Sequence, residues 1–299
     1  MARVIFLASD EFHLGKMDET RSHTEAIGKL VRMKGGLKDL GLGGTLEGLV
    51  LSNDRMSTFY TGAPPNFTHV EKFVDLATKE NLTPGFQTAT ENDLFSNDMI
   101  QILDDICAVT ASMQMFALST IPPTVQQDFA SRLLILSSDH RCPASSRSYS
   151  LVEKGLCLAL MTYVGFALQS WTSDPFSPLL GGAYLGLRIQ QILEEILEVD
   201  ASVEKTQARS EHAGLLLWMA FMGNWAMNRS AEAESTEEAS QPDKQIPSHN
   251  TMLLPRLLSE LGIANLRELR AQLLQFLWVE KNCDAFVSKL WGNLNITEL

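Results

Sequence analysis

At 299 residues with 45% hydrophobic side chains, the chain can bury a substantial core, as one large domain or as two packed halves. Its 24 basic residues against 36 acidic ones give a formal charge of −12, the wrong sign for a protein that must track phosphates, so direct DNA contact is not expected. A membrane span is not expected either: the longest apolar stretch, Leu156 to Leu168, is interrupted by Thr162 and Gly165 and falls short of the roughly 20 residues a bilayer needs.

The first apolar run, Arg3 to Ala8, is too short and too soon followed by Asp10 and Glu11 to be a signal peptide, and it reads as part of a helix from Arg3 to Leu14 that stops at Gly15. A second helix is predicted from Glu19, behind Asp18 as cap, to Lys34. Gly35 and Gly36 end it, because glycine accepts the left-handed conformation that closes a helix. Lys29, Arg32 and Lys34, the densest basic group in the chain, have the spacing of one solvated face of that helix. After the turn at Gly41, Gly43 and Gly44, a third helix runs from Thr45 to Tyr60 and meets Pro64 and Pro65. Neither glycine group follows a strand, which argues against a phosphate loop.

Apolar residues at Met99, Ile102, Ile106, Val109, Met113 and Phe116 recur at steps of three and four behind Ser96 and Asn97, the pattern of a capped, core-facing helix. The same spacing returns at Leu185, Ile189, Ile192, Leu193, Ile196 and Leu197, with Glu194, Glu195 and Glu198 mainly on the opposite side. Ser148 to Ser170 and Glu211 to Met227 are apolar nearly all round, as central buried helices are. From Asn228 to Asn250 the composition turns to Glu, Ser, Ala, Gln and Pro, which predicts a disordered acidic surface loop. Leu253 to Leu261, Leu266 to Trp278 and Cys283 to Leu294 give three closing helices joined by Gly262 and by a turn at Glu280 to Asn282. No alternating β-branched run interrupts this pattern, and the fold class expected is all-α, with central buried helices and one disordered acidic loop at 228–250.

Candidate chemistry is sparse. The four cysteines, Cys107, Cys142, Cys157 and Cys283, lack the close spacing of a zinc site. Cys107 and Cys157 sit inside apolar helical patterns, where a reduced thiol acts as a small hydrophobe and fits an intracellular compartment. The histidines at 13, 23, 69, 140, 212 and 249 form no metal-ligand spacing. Asp139, His140 and Cys142 are neighbours, but in a loop before Pro143 that offers neither a fixed base nor an oxyanion site. Asp54 lies in an apolar helix, and a carboxylate at the edge of a core needs a partner, with Arg32 or Lys34 as candidates. Trp218, Met219, Met222, Trp225 and Met227 are expected to pack, although a Met-rich helical interior can also hold an apolar ligand. No catalytic, cofactor-binding or metal residue is predicted.

Three separated blocks resemble, in order and spacing, the regulatory region of fungal zinc-cluster transcription factors. In the first, Leu7, Ala8, Glu11, Gly15, His23, Val31 and Lys34 to Leu37 look like a short helix, a His-bearing helix and an Arg-Gly-Gly-Leu turn, with Lys34 in the place of Arg. Leu42 to Gly44, Asp54 and Pro64 to Phe67 continue it. The second, Leu151 to Tyr163, is similar to the family's central helix through Glu153, Leu158, Ala159 and Tyr163, although Gly155 or Leu156 stands where Arg is common. The third comprises Leu216 to Trp218, Phe221 and Gly223, then Leu257 to Ile263, Leu266 to Leu274, Phe276 to Trp278, Cys283, Asp284, Leu290 and Trp291.

The resemblance implies one regulatory domain over 1–299 that lacks the six-cysteine cluster with which that family reads DNA. Expected from it are a nuclear, non-enzymatic regulator of a metabolic or secondary-metabolite gene set, partnered by transcription machinery or another transcription factor, with a small-molecule effector and a homodimer as further options. A small-molecule-binding helical protein of regulatory ancestry, or a truncated product of a full zinc-cluster factor, is the alternative.

Overall fold

The computed structural model describes residues 2–13, 17–41, 78–116, 149–166, 182–202, 206–237 and 253–294, with isolated positions between 46 and 67 and between 125 and 136. Among them the secondary structure is helical throughout, with no strand, so the all-α class holds for the described residues. The chain groups into two compact units, Met1–Phe73 with Leu134–Tyr149, and Val74–Leu133 with Ser150–Leu299.

In the first unit, α1 (Ala2–His13) packs against α2 (Met17–Met33). Ile5 and Ala8 of α1 meet Ile27 and Val31 of α2 and Val50 in one buried cluster, flanked by Leu37, Leu40, Leu46, Leu49 and Phe67. The described positions from Leu46 to Ser57 are helical, in agreement with the helix predicted there. Helix α2 ends as its glycines require. Gly35 and Gly36 have φ of +99° and +121°, and their amides donate to Arg32 O at 3.2 Å and Val31 O at 3.0 Å, the paired bonds of a Schellman motif.

The second unit holds α3 (Pro84–Glu91), α4 (Asn97–Met115), α5 (Leu151–Phe166), α6 (Gly182–Ser202), α7 (Thr206–Glu237), α8 (Leu253–Glu260), α9 (Leu266–Leu273) and α10 (Glu280–Asn293). Helix α7 is its axis and touches α3, α5, α6, α8 and α9. Its residues from Ala213 to Ala226 are all buried, which is why that stretch is apolar on every side. The α6 stripe from Leu185 to Leu197 is likewise buried, while Glu194, Glu195 and Glu198 face water. Glycines set the closest helix approaches. A Cβ on Gly186 would lie 2.5 Å from Gly223 O and 2.4 Å from Met227 Cγ, so α6 and α7 can cross at this separation only without a side chain there.

Four expectations need correction. Helix α7 continues to Glu237, so residues 228–237 are helical and the loop expected from Asn228 does not begin there; residues 238–250 lie outside the described set. The physical reason is that Ala231, Glu232, Ala233 and Glu234 are strong helix formers extending a helix already nucleated by its buried portion. The helix expected over Leu266 to Trp278 stops at Leu273, and residues 277–279 are non-helical although Phe276, Leu277 and Trp278 are buried. Glu280 to Asn282, expected as a turn, instead form the first turn of α10. Phe116, placed in the core stripe by its spacing, is the residue that ends α4 and is 67% exposed.

Helix α3 was not foreseen. Its sequence has low helical propensity, with Gly85 and the β-branched Thr88 and Thr90, and it forms because Pro84 is suited to its first turn and because tertiary contacts hold it. Phe86 is fully buried, and Gly85 N donates to Gln275 O at 2.8 Å.

Candidate functional site

Among the described residues one device recurs in both units: a carboxylate on a helix gathers N–H and O–H donors from a separate segment. A buried carboxylate is tolerated only when its lone pairs are filled, so each such group fixes the geometry of whatever fills it.

In the first unit Asp54 is 2% exposed. One of its oxygens accepts from Asn66 N at 3.0 Å and Asn66 Nδ2 at 2.8 Å, and the other from Phe67 N at 3.0 Å. The partner is thus the Asn-Phe turn after the prolines, while Arg32 and Lys34 are exposed. Gly28 allows this turn to sit close against α2, since a Cβ there would lie 3.0 Å from Asn66 Oδ1. Across α1 and α2, His23 Nδ1 bonds Glu11 Oε2 and lies 3.1 Å from Glu19 O. Two acceptors on one ring nitrogen place the proton on Nδ1.

In the second unit Glu153 joins two helix starts. Ser150 Oγ accepts from Glu153 N at 3.1 Å and Glu153 Oε2 accepts from Ser150 N at 3.0 Å, a reciprocal capping box that opens α5. Its other oxygen accepts from Ser96 N at 2.7 Å, the residue whose own hydroxyl caps α4. Asp104 on α4 does the same for the segment before α3, accepting from Asn81 N at 2.7 Å, Asn81 Nδ2 at 3.0 Å and Thr78 Oγ1 at 2.8 Å. Burial pushes the Asp104 carboxyl up, but the Asn81 and Thr78 donors outweigh it and hold the group below the usual carboxylate range.

The closing segment, 274–284, is densely tied to the rest of the unit. Three of its carbonyls take donors from three other helices: Gln275 O from Gly85 N, Leu277 O from Trp218 Nε1 at 3.1 Å, and Trp278 O from Gln114 Nε2 at 2.7 Å. Side-chain and amide donors from α3, α7 and α4 thereby replace the intrahelical bonds that a continued α9 would have made. Asp284 completes the anchor. It accepts from Trp278 Nε1 at 3.0 Å and from Arg270 Nε and Nη2 at 3.1 and 3.0 Å, and the Arg270 guanidinium holds its carboxyl below the usual range.

Around this segment the aromatic rings meet. Trp218 packs edge-on to Phe86 with centroids 5.8 Å apart, and Tyr163 and Phe276 lie at 6.3 and 6.2 Å from it. A second group joins Phe221 to Trp278 and stacks Trp225 on Phe286. Met219 and Met222 are fully buried beside them, so these Trp and Met residues pack the core. The thiols are equally enclosed. Burial pushes Cys107 and Cys283 up to about 12 and Cys157 well above the ordinary thiol value, which suppresses the reactive thiolate. Tyr163, also raised by burial, shares a hydrogen bond of 3.2 Å with Thr110.

Of the residues singled out in the sequence, Asp139, His140 and Cys142 lie outside the described set, as do His69 and His249. No cluster of three or more His, Cys, Asp or Glu able to hold a metal occurs among the described residues, and no helix there is long and apolar enough to cross a membrane. Asp104, the Glu11–His23 pair and the donors to the closing segment were missed. A usable signal existed only for Asp104, a carboxylate set among the core positions Leu103, Ile106 and Cys107.

No protein-family model, no curated protein and no solved structure matches the chain. The fold and the site together define an all-α, multi-helix protein with a tightly tied helical core.

Proposed function

We propose that the chain is a regulator of the fungal zinc-cluster transcription-factor kind that works in the nucleus through protein or ligand contacts, not by its own contact with DNA. One observation carries this reading: residues that bear the resemblance, one pair of them from different blocks and the others far apart within a block, are partners in space. Tyr163 of the second block packs on Trp218 of the third, Trp218 donates to Leu277 near the end of the third, and Trp278 donates to Asp284. In the first block Asp54 receives Asn66 and Phe67, and Glu11 bonds His23. The similarity therefore falls on the contacts that order the helices, where a shared architecture would preserve it.

The formal charge of −12 supports contact with a basic protein surface over contact with DNA. Homodimerisation, control of a metabolic or secondary-metabolite gene set, and partnership with transcription machinery or another transcription factor belong to the same proposal. Fusion of the whole chain to a foreign DNA-binding domain tests it: transcription of a reporter carrying the cognate site should rise or fall several-fold, and a folded fusion with no effect in any host condition refutes it.

A further inference from the structure

Charge is unevenly placed on this chain. The formal total is −12, yet between residues 29 and 40 the cations Lys29, Arg32, Lys34 and Lys38 stand against a single carboxylate, Asp39. Lys29 and Arg32 are exposed on the last turns of α2, and Met33, four residues after Lys29, shares their face and is 82% exposed. No other large hydrophobic side chain among the described residues is as exposed as Met33. Neither Lys29 nor Arg32 has an ion-pair partner among the described residues, whereas Arg21, Arg132, Arg256 and Arg270 are each bound to a carboxylate. An exposed apolar side chain between free cations has the make-up of a contact surface: covering the thioether is favourable, and the charges select what covers it.

The chain itself carries the complement. The solvent face of α6 holds Glu194, Glu195 and Glu198, all exposed and with no cation three or four residues to either side. They lie in the C-terminal half of the helix, whose dipole disfavours anions, and the last turn of α6 has no basic residue. Glu194 and Glu198 are one turn apart, a repulsive pairing. Helix α6 thus gains nothing from these charges by itself, and a cationic surface laid against them relieves both costs. The spacing matches as well. Lys29 and Arg32 are three residues apart, as are Glu195 and Glu198, a rise of about 4.5 Å on each helix, so helices set side by side can pair both charges at once.

We propose that the chain self-associates by placing the α2 face of Lys29, Arg32 and Met33 in one copy against the α6 face of Glu194, Glu195 and Glu198 in a second copy. Such a contact is largely electrostatic, so it is weakened by salt. It deepens the homodimer branch of the regulatory reading and rests on it, but association is measured on the isolated chain, so a silent reporter and an absent dimer are separate results.

Sedimentation equilibrium of the full chain at about 0.2 mM, a concentration suited to weak surface pairing, tests the proposal. In about 50 mM NaCl the average mass should exceed that of a monomer, and in about 500 mM NaCl it should return to the monomer value. Lys29→Glu with Arg32→Glu, and separately Glu195→Lys with Glu198→Lys, should each weaken association at least about tenfold. Circular dichroism should be unchanged in both, since these side chains are exposed. An equimolar mixture of the two variants should associate again, because each supplies the charge that the other lacks. The salt series is read on the parent chain, so the test survives a variant that fails to fold. A parent chain that is monomeric in low salt overturns the proposal, as does association that survives either pair of substitutions. A mixture of the two folded variants that stays monomeric also overturns it, because the two faces then do not meet.

Discussion

Replacing Glu153 by alanine is the most incisive perturbation of the core, because that one carboxylate closes the starts of two helices. In the native protein it is 5% exposed and accepts from Ser96 N at 2.7 Å, Ser150 N at 3.0 Å and Ser150 Oγ at 3.2 Å. Alanine leaves both backbone amides without their acceptor. A hydrogen bond to a charged group contributes about 1.5–3 kcal/mol, and loss of a capping interaction costs about 1 kcal/mol. Shared terms keep these from adding in full, and water entering the space left by the carboxylate recovers part of the loss. The expected destabilisation is therefore about 3–4 kcal/mol, among the larger effects of any single substitution. Glu153→Gln retains one oxygen acceptor and should cost about half as much. Urea unfolding followed by circular dichroism measures both, with an unchanged m-value as the sign that only stability has altered. If Glu153→Ala costs less than about 1 kcal/mol, the carboxylate does not hold the two helix ends, and the reasoning fails.

The remaining expectations concern acid, glycine and thiol chemistry. Asp104 has a native pKa below its ordinary value, so its contribution is complete above the unfolded-state value of about 3.9 and is lost as pH falls through the lower native one. Asp104→Asn should accordingly flatten the loss of stability from about pH 5 downward, as read from urea midpoints across pH. Gly262→Ala meets open space, yet φ is +64° there, so it should cost about 1–2 kcal/mol from backbone strain alone. Gly186→Ala should cost more, because its Cβ would meet Gly223 O at 2.5 Å in the α6–α7 crossing; equal costs in chemical denaturation would contradict that packing. In a Cys142→Ser protein the three buried thiols should resist a disulfide reagent at pH 8 and react at once in denaturant.

Where local chemistry decided the outcome, the sequence was readable. Ser96 does cap α4, with Oγ accepting from Met99 N, and Gly35, Gly36 and Gly262 close their helices with positive φ, since each effect depends on neighbours within a turn. The period of three and four located α4 and α6 for the same reason, and α5 and the buried part of α7 stood out as runs apolar nearly all round. The closing segment was not readable, because Phe276, Leu277 and Trp278 continue an apolar helical pattern and break from it only where donors on α3, α4 and α7, far away in sequence, supply their carbonyls. Asp54 shows the boundary between the two cases. Its burial followed from the apolar residues of its own helix, but its partner is a turn 12 residues further on, which ordinary charge pairing would not select.

The regulatory reading is tested most directly by the reporter fusion, run beside the Glu153→Ala chain as a control that weakens the fold. A several-fold change in transcription with the parent chain, lost or reduced at a temperature where the Glu153→Ala fusion is unfolded, is the expected result. Reporter output equal to that of the DNA-binding domain alone, from a parent fusion that is folded and present in the nucleus, would contradict it.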